Sequence, residues 1–169
     1  MYPINIETKL VGNLEGEFYI PAFHRTYNWR DEVNRLLHDF QEIERDENYY
    51  LKPIVVSKNE EDNNELMDGQ QRLMTLYILI KHIEKFLPMS QAKFSINYQT
   101  KSRNFLEPFD LNVTNRQTSI TDEYFFQETT QTILNWFNEQ EDETQTAIDL
   151  WLKLSRNIHV IYCEVNSKA

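Results

Sequence analysis

The segment at residues 68–72, D-G-Q-Q-R, combines side-chain types that bind and transform anions. It follows a short apolar run, E-L-M, and precedes a helical pattern, which places it at a strand-to-helix junction. The first amides of a helix have no intrahelical partners and lie at the positive end of the helix dipole. Gln70, Gln71 and Arg72 would add donors where these amides already favour phosphate or carboxylate.

The residues around these donors have local roles of their own. Asp68 is a typical N-cap residue, and Gly69 allows the backbone to turn closely beneath a ligand. Beyond the junction, apolar residues at steps of three and four predict one core-facing side of the helix, made of Leu73, Leu76, Ile80, Ile83 and Leu87. The alternative is a capped core helix whose glutamines face water, because short motifs often occur by chance.

A second segment, at residues 21–29, carries unusual side chains for a connecting loop. Aromatic and cationic residues gathered on a loop usually pack inward or bind a partner; here they are Phe23, His24, Arg25, Tyr27 and Trp29. Arg25 and Arg72 could share a phosphate, Asp68 could hold a metal-bound water, and an aromatic ring could stack on a base. The alternative is that the three aromatic residues fill the core from a rigid loop.

Two further cations, Lys101 and Arg103, lie in the segment T-K-S-R. They could reach the same ligand, or they could simply be solvated on a loop, as most basic residues are.

Several familiar catalytic and binding motifs are absent from the sequence. It contains no G-x-x-x-x-G-K-[ST] or G-x-G-x-x-G loop, no H-E-x-x-H, no cysteine pair and no G-x-S-x-G elbow.

Composition narrows the class of protein further. A chain of 169 residues supports one domain with a proper core, and its formal charge of −10 disfavours binding of unmodified duplex DNA. A single cysteine, Cys163, excludes an internal disulfide and fits a reducing cytoplasm. Charged residues interrupt the apolar stretch between Leu73 and Leu87, and no apolar signal segment opens the chain. We therefore expect a cytoplasmic protein without a membrane span.

Hydrophobic patterning predicts an α+β fold, with a small mixed sheet, packed helices and a C-terminal helical pair. Extended segments are expected near Ile4 and Ile6 and at residues 18–20, 49–51, 53–57, 65–67, 93–98 and 158–165, and helices near 31–44, 69–87, 122–138 and 144–156. We expect a single domain over 1–169. Within it we expect an N-terminal lead-in at residues 1–17 and the motif-bearing part at residues 18–98. We expect residues 99–169 to form a helical extension with a closing strand, and this last part to be truncated.

Two motifs together carry a family resemblance. I-P-A-F-H-R-T-Y-N-W at residues 20–29, followed by M-D-G-Q-Q-R-L-M-T-L at 67–76, resembles the N-terminal domain of GmrSD-type, modification-dependent restriction proteins. That domain is a branch of the ParB/sulfiredoxin-like superfamily, and the resemblance extends to about Val165. The combination is much more specific than either motif alone.

The resemblance implies a nucleotide site. In that family the D-G-Q-Q-R motif is implicated in binding and hydrolysing nucleoside triphosphates. For this chain we expect GTP or ATP as the ligand, with Mg²⁺ as a candidate metal. These roles carry over to Asp68, Gln71 and Arg72 as catalytic residues and to Gly69 and Gln70 as phosphate-binding residues. Arg25, Tyr27, Trp29, Lys101 and Arg103 would contact the nucleotide, and the loop containing Phe23, His24 and Arg25 would sense modified DNA.

Two departures from the family pattern limit what carries over. Family members usually have glutamine where this chain has His24, and they continue into helices and often an HNH-type nuclease domain. No H-N-H-like cluster occurs here, so this chain alone is not expected to cut DNA. The leading hypothesis is a nucleotide-binding sensor in a phage-defence restriction system, with NTP hydrolysis by the sensor left open. The alternatives are a non-enzymatic module that recognises modified DNA and a structural scaffold for a separate nuclease.

Overall fold

The computed structural model describes residues 4–20, 29–58, 63–98 and 121–166. These ranges contain four α-helices and seven β-strands. The helices are α1 (Trp29–Glu42), α2 (Gln70–Glu84), α3 (Thr121–Asn138) and α4 (Glu143–Arg156). The strands are β1 (Ile4–Leu10), β2 (Glu15–Ile20), β3 (Tyr49–Tyr50), β4 (Ile54–Lys58), β5 (Asn64–Asp68), β6 (Lys93–Tyr98) and β7 (Ile158–Asn166). The predicted α+β class is confirmed, as are the strand near Ile4 and the two helices α3 and α4.

All seven strands join one mixed sheet, in the order β1-β7-β4-β5-β2-β6, with β3 also paired to β7. The last strand, β7, is central: it runs antiparallel to β1 and parallel to β3 and β4. An antiparallel hairpin joins β4 to β5, and β2 runs parallel to both β5 and β6. The motif-bearing strand β5 therefore lies inside the sheet, between β4 and β2.

Among the described residues, side chains on one face of the sheet form the core, and those on the other face are exposed or only partly buried. Alternate strand residues are buried on the core face, namely Phe18, Ile20, Ile54, Val56, Leu66, Phe94, Ile96, Val160 and Tyr162. This alternation follows from the two-residue period of a strand. Several apolar side chains elsewhere on the strands stay exposed, including Ile6, Tyr50 and Met67.

Helix α2 lies at the centre of the core. The sequence predicted one core-facing side, but Met74, Tyr77, Ile78 and Leu79 on other sides are buried as well. The reason is that α2 contacts both neighbouring layers: the Tyr77 ring lies 5.9 Å from Phe94 of β6, and the His82 ring lies 4.3 Å from Phe137 of α3. A helix that is apolar all round is typically buried.

The outer helices are held at their ends by polar contacts. Asp142 is the N-cap of α4, and its side chain accepts a hydrogen bond from the Gln145 backbone N–H at 3.0 Å. Lys153 Nζ donates to the carbonyl oxygens of Phe40 and Gln41, each at 2.9 Å, at the C-terminal end of α1. A cation is favourable there because the C-terminal end of a helix is the negative end of its dipole.

Candidate functional site

The junction between β5 and α2 depends on the backbone of Gly69. Its φ of 87° and ψ of 18° are left-handed, and it caps the helix that begins at Gln70. A Cβ atom at this position would lie 2.7 Å from Ile54 Cγ2 and 3.0 Å from Arg72 Nη1. Glycine is therefore required both for its backbone angle and for the space beneath it.

Asp68 lies immediately before Gly69, at the end of β5. The prediction that Asp68 is the N-cap was wrong: Asp68 is the last residue of β5, paired with Val55, and Gly69 takes the capping position without a side-chain bond. Asp68 Oδ1 accepts a hydrogen bond from the Gly69 backbone N–H at 2.9 Å, and the residue is exposed. Its carboxylate therefore stays at the surface beside the start of α2.

The two glutamines of the motif are buried rather than facing water. Gln70 Nε2 donates to the carbonyl oxygens of Leu66 and Met67, at 3.1 and 3.3 Å, so its amide links α2 to the end of β5. Gln71 is equally buried, and its backbone carbonyl accepts a hydrogen bond from Thr75 Oγ1 at 2.7 Å. In this arrangement Gln70 stabilises the junction that a ligand would meet. The predicted phosphate contact of Gln70 and catalytic role of Gln71 stay predictions.

Arg72 provides the cation of the junction. Its side chain is partly buried, and Nη1 donates to the Pro53 carbonyl oxygen, just before β4, at 2.8 Å. Burial lowers the pKa of the Arg72 guanidinium, and the nearby Asp68 carboxylate opposes that shift. A guanidinium has five N–H donors in a rigid fork. The bond to Pro53 fixes the fork and uses only one of them.

Trp29 joins the second sequence segment to the motif helix. It is the first residue of α1, and its indole Nε1 donates to Thr75 Oγ1 at 3.1 Å. Its ring lies 5.9 Å from the Phe125 ring of α3. Trp29 thus links three helices, and its predicted contact with a nucleotide stays a prediction.

Sequence reasoning missed two residues that position the motif, Pro53 and Thr75. Pro53 contributes only a backbone carbonyl, which carries no residue-specific signal. Thr75 could have been noticed, because it is the one small polar residue in the apolar run L-M-T-L-Y-I-L-I. Its partner Trp29 is distant in sequence, so no local pattern connects the two.

Six of the predicted site residues lie outside the described residues: Phe23, His24, Arg25, Tyr27, Lys101 and Arg103. Within the described ranges there is no group of three histidine, cysteine, aspartate or glutamate residues that could hold a metal ion. No helix in the same ranges is long and apolar enough to cross a membrane.

Comparison with known proteins gives a family assignment. Residues 7–169 match the family model described as the GmrSD restriction endonuclease, N-terminal domain. No curated protein and no solved structure matches the chain. The family match covers nearly the whole chain and includes the junction of Asp68, Gly69 and Arg72. The chain therefore belongs to the GmrSD N-terminal domain family and is part of a restriction system of the kind that defends against phage.

Proposed function

We propose that this domain binds a nucleoside triphosphate at the junction between β5 and α2, and that it acts as the sensor of a modification-dependent restriction system. The observation that carries the proposal is the position of Arg72. It is fixed on the Pro53 carbonyl at 2.8 Å, beside exposed Asp68 and at the N-terminus of a buried helix. Family membership adds that such a domain operates within a restriction endonuclease.

The phosphates would lie against the first turn of α2. The backbone amides there are at the positive end of the helix dipole, and Gly69 brings no side chain into the approach. The remaining donors of the Arg72 fork would bind two phosphate oxygens, as guanidinium groups commonly do. Because Gln70 already binds two backbone carbonyls, the frame of this cradle is formed before the ligand arrives.

Hydrolysis would depend on Asp68. Its carboxylate is exposed and held by the Gly69 N–H, so it is positioned to orient a water molecule or a Mg²⁺ ion carried by the phosphates. Mg²⁺ usually binds through one or two carboxylates together with substrate phosphates, which a single Asp68 satisfies. Such an ion would help to neutralise charge that develops on the transferred phosphoryl group.

In the complete system, nucleotide binding would be coupled to recognition of modified DNA and to a nuclease domain of the HNH type. The net charge of −10 repels the phosphates of unmodified duplex DNA. It therefore favours a site that recognises the modification itself over one that binds the DNA backbone. This division of labour is consistent with the family description of an N-terminal domain of a restriction endonuclease.

The direct test is titration of the chain with GTP and ATP, with and without Mg²⁺, by isothermal calorimetry. We expect one nucleotide to bind and Arg72→Ala to weaken it by about 10- to 100-fold, since charge-assisted hydrogen bonds contribute roughly 1.5–3 kcal/mol. Asp68→Asn should retain binding and lose phosphate release. The matched control is Arg35→Ala, which removes an exposed arginine from α1, far from the motif in sequence.

Thermal unfolding of each variant separates loss of the site from loss of the fold, because Arg72 also anchors α2 to the residue before β4. If Arg72→Ala remains folded and binds both nucleotides as tightly as the wild type does, the proposal is wrong.

An electrophoretic mobility-shift assay that compares modified and plain DNA duplexes tests the second candidate role, recognition of modified DNA. A clear preference for modified DNA without nucleotide binding would favour a recognition module.

A further inference from the structure

Strand β1 forms an open edge of the sheet. Within the described ranges its strand neighbour is β7 alone, so the N–H and C=O groups directed away from β7 face outward. The side chains at positions 5–8 are exposed, and Ile6 is 63% exposed. An open edge is a template for pairing with another strand, and proteins normally protect such edges with charged side chains.

The two charges on β1 share one face of the strand. Glu7 Oε1 and Lys9 Nζ are 3.2 Å apart, and Lys9 Nζ also lies 4.0 Å from the centre of the Tyr162 ring on β7. Ile6, Thr8 and Leu10 alternate with these residues, so they lie on the other face. The edge therefore presents two opposite charges on one face, and on the other face two apolar residues on either side of a threonine.

Two copies of β1 can pair antiparallel about a two-fold axis perpendicular to the sheet. Directly opposite residues of paired antiparallel strands have side chains on the same face. The axis must therefore lie between the two copies of one residue, so that this residue faces itself across the pair. Near the middle of the strand the choices are Ile6, Glu7 and Thr8. An axis at Glu7 places two glutamates directly opposite each other, which is unfavourable, and an axis at Ile6 pairs Glu7 with the neutral Asn5.

An axis at Thr8 gives a complementary pairing. Glu7 of each copy then lies opposite Lys9 of the other, and Ile6 lies opposite Leu10. Opposite charges and apolar pairs across strands both stabilise a sheet. The same two charges that would deter an unrelated strand thus favour a second copy of this chain.

We propose that β1 is a self-association edge, at which two copies of this chain pair antiparallel with Thr8 on the two-fold axis and join their sheets into one. The paired segment is short, so the dimer is a weak, concentration-dependent one. Its formation is independent of the nucleotide site, which lies across the sheet on β5.

A charge-swap series tests the pairing by sedimentation velocity from low to high micromolar concentration. The wild-type chain is expected to dimerise, and either Glu7→Lys or Lys9→Glu alone should weaken the dimer about tenfold, because each creates two like-charge pairs across the axis. The double variant Glu7→Lys/Lys9→Glu should restore it. A wild-type chain that remains monomeric, single reversals without effect, or a swap that fails to restore pairing would each overturn the proposal.

Cysteine cross-linking gives a second readout of the register. In a Cys163→Ser background, Thr8→Cys should oxidise rapidly to a disulfide-linked dimer, because residues facing each other across paired strands have Cα atoms about 4.5–5.5 Å apart. Asn5→Cys is the matched control, exposed on the same strand, and its two copies would lie about 20 Å apart. Cross-linking at Asn5→Cys as fast as at Thr8→Cys would overturn the register.

Discussion

At the scale of single residues, Gly69 meets two separate demands of the motif. Its left-handed φ of 87° strains any residue with a Cβ, and that Cβ would also collide with Ile54 Cγ2 at 2.7 Å. Gly16 provides a natural comparison, because its φ of 120° is also positive but its nearest neighbour, Asn64 Nδ2, is 3.4 Å from the Cβ position. The two glycines therefore separate backbone strain from steric conflict.

We predict that Gly69→Ala lowers the free energy of unfolding by roughly 2–4 kcal/mol, the sum of backbone strain and an overpacked contact. Gly16→Ala should cost about 1–2 kcal/mol, because only the backbone term applies. Urea unfolding followed by circular dichroism measures both. Equal costs at the two positions would show that the conflict with Ile54 relaxes freely.

His82 is a second residue with a measurable consequence. It is 3% exposed and packs against the rings of Phe86 and Phe137, at 5.5 and 4.3 Å. Among the described residues, neither ring nitrogen has a hydrogen-bond partner. Burial lowers the pKa of His82 from 6.5 to about 4, and the charge of Lys85 adds to the shift. The folded state therefore holds this imidazole neutral.

Stability should consequently fall with acidity. Between pH 6.5 and about 4 the unfolded chain binds a proton at His82 that the folded chain does not, so the stabilisation present above pH 6.5 is lost as the pH falls. The expected loss is about 3 kcal/mol. His82→Leu should flatten the stability profile across this range, because it removes the group whose pKa differs between the folded and unfolded states. Denaturant titrations at several pH values measure this profile; an unaltered profile in His82→Leu contradicts the assignment.

At the scale of elements, the hydrogen bonds from Trp29 to Thr75 and from Thr75 to Gln71 connect two helices of the site. They tie the start of α1 to the first turns of α2, next to the motif. The ring of Trp29 also contacts Phe125 of α3. The orientation of α2 thus depends on a contact made by the residue that ends the aromatic segment at 21–29.

Thr75→Val should lower stability by about 1–2 kcal/mol, because the Trp29 indole N–H loses its acceptor in a partly buried position. The matched control is Thr130→Val. Thr130 is also buried in a helix, and its hydroxyl donates to the Phe126 carbonyl oxygen four residues earlier, as the Thr75 hydroxyl donates to that of Gln71. Tryptophan fluorescence during denaturant unfolding measures both variants. If they cost the same, the link from Trp29 adds nothing to stability.

The elements themselves were largely predictable, because their patterns are local. Alternating residues in K-F-S-I-N-Y indicated β6, and apolar spacing indicated α3 and α4 close to their observed bounds. The site was predictable only in part. The strand-to-helix junction and the need for Gly69 follow from the motif, but the burial of both glutamines and the anchor of Arg72 on Pro53 depend on packing between distant segments.

At the scale of the whole molecule, the strand order was not predictable from local patterns. The sequence indicated a closing strand at residues 158–165, and hydrophobic alternation carries no information about its neighbours. In the structure that strand pairs with β1, β3 and β4, and the helices cover one face of the resulting sheet. In this order β1 has β7 as its single strand neighbour among the described residues, so the outer edge of β1 is exposed.

The position of β7 inside the sheet affects how the protein folds during its synthesis. Ile4 pairs with Val165, and β4 gains one of its two neighbours from the same late strand. During synthesis β1 and β4 therefore remain incompletely paired until residues 158–166 have left the ribosome. Contacts this distant in sequence slow folding and expose strand edges to misassembly. The sheet therefore closes only after residues 158–166 have been synthesised.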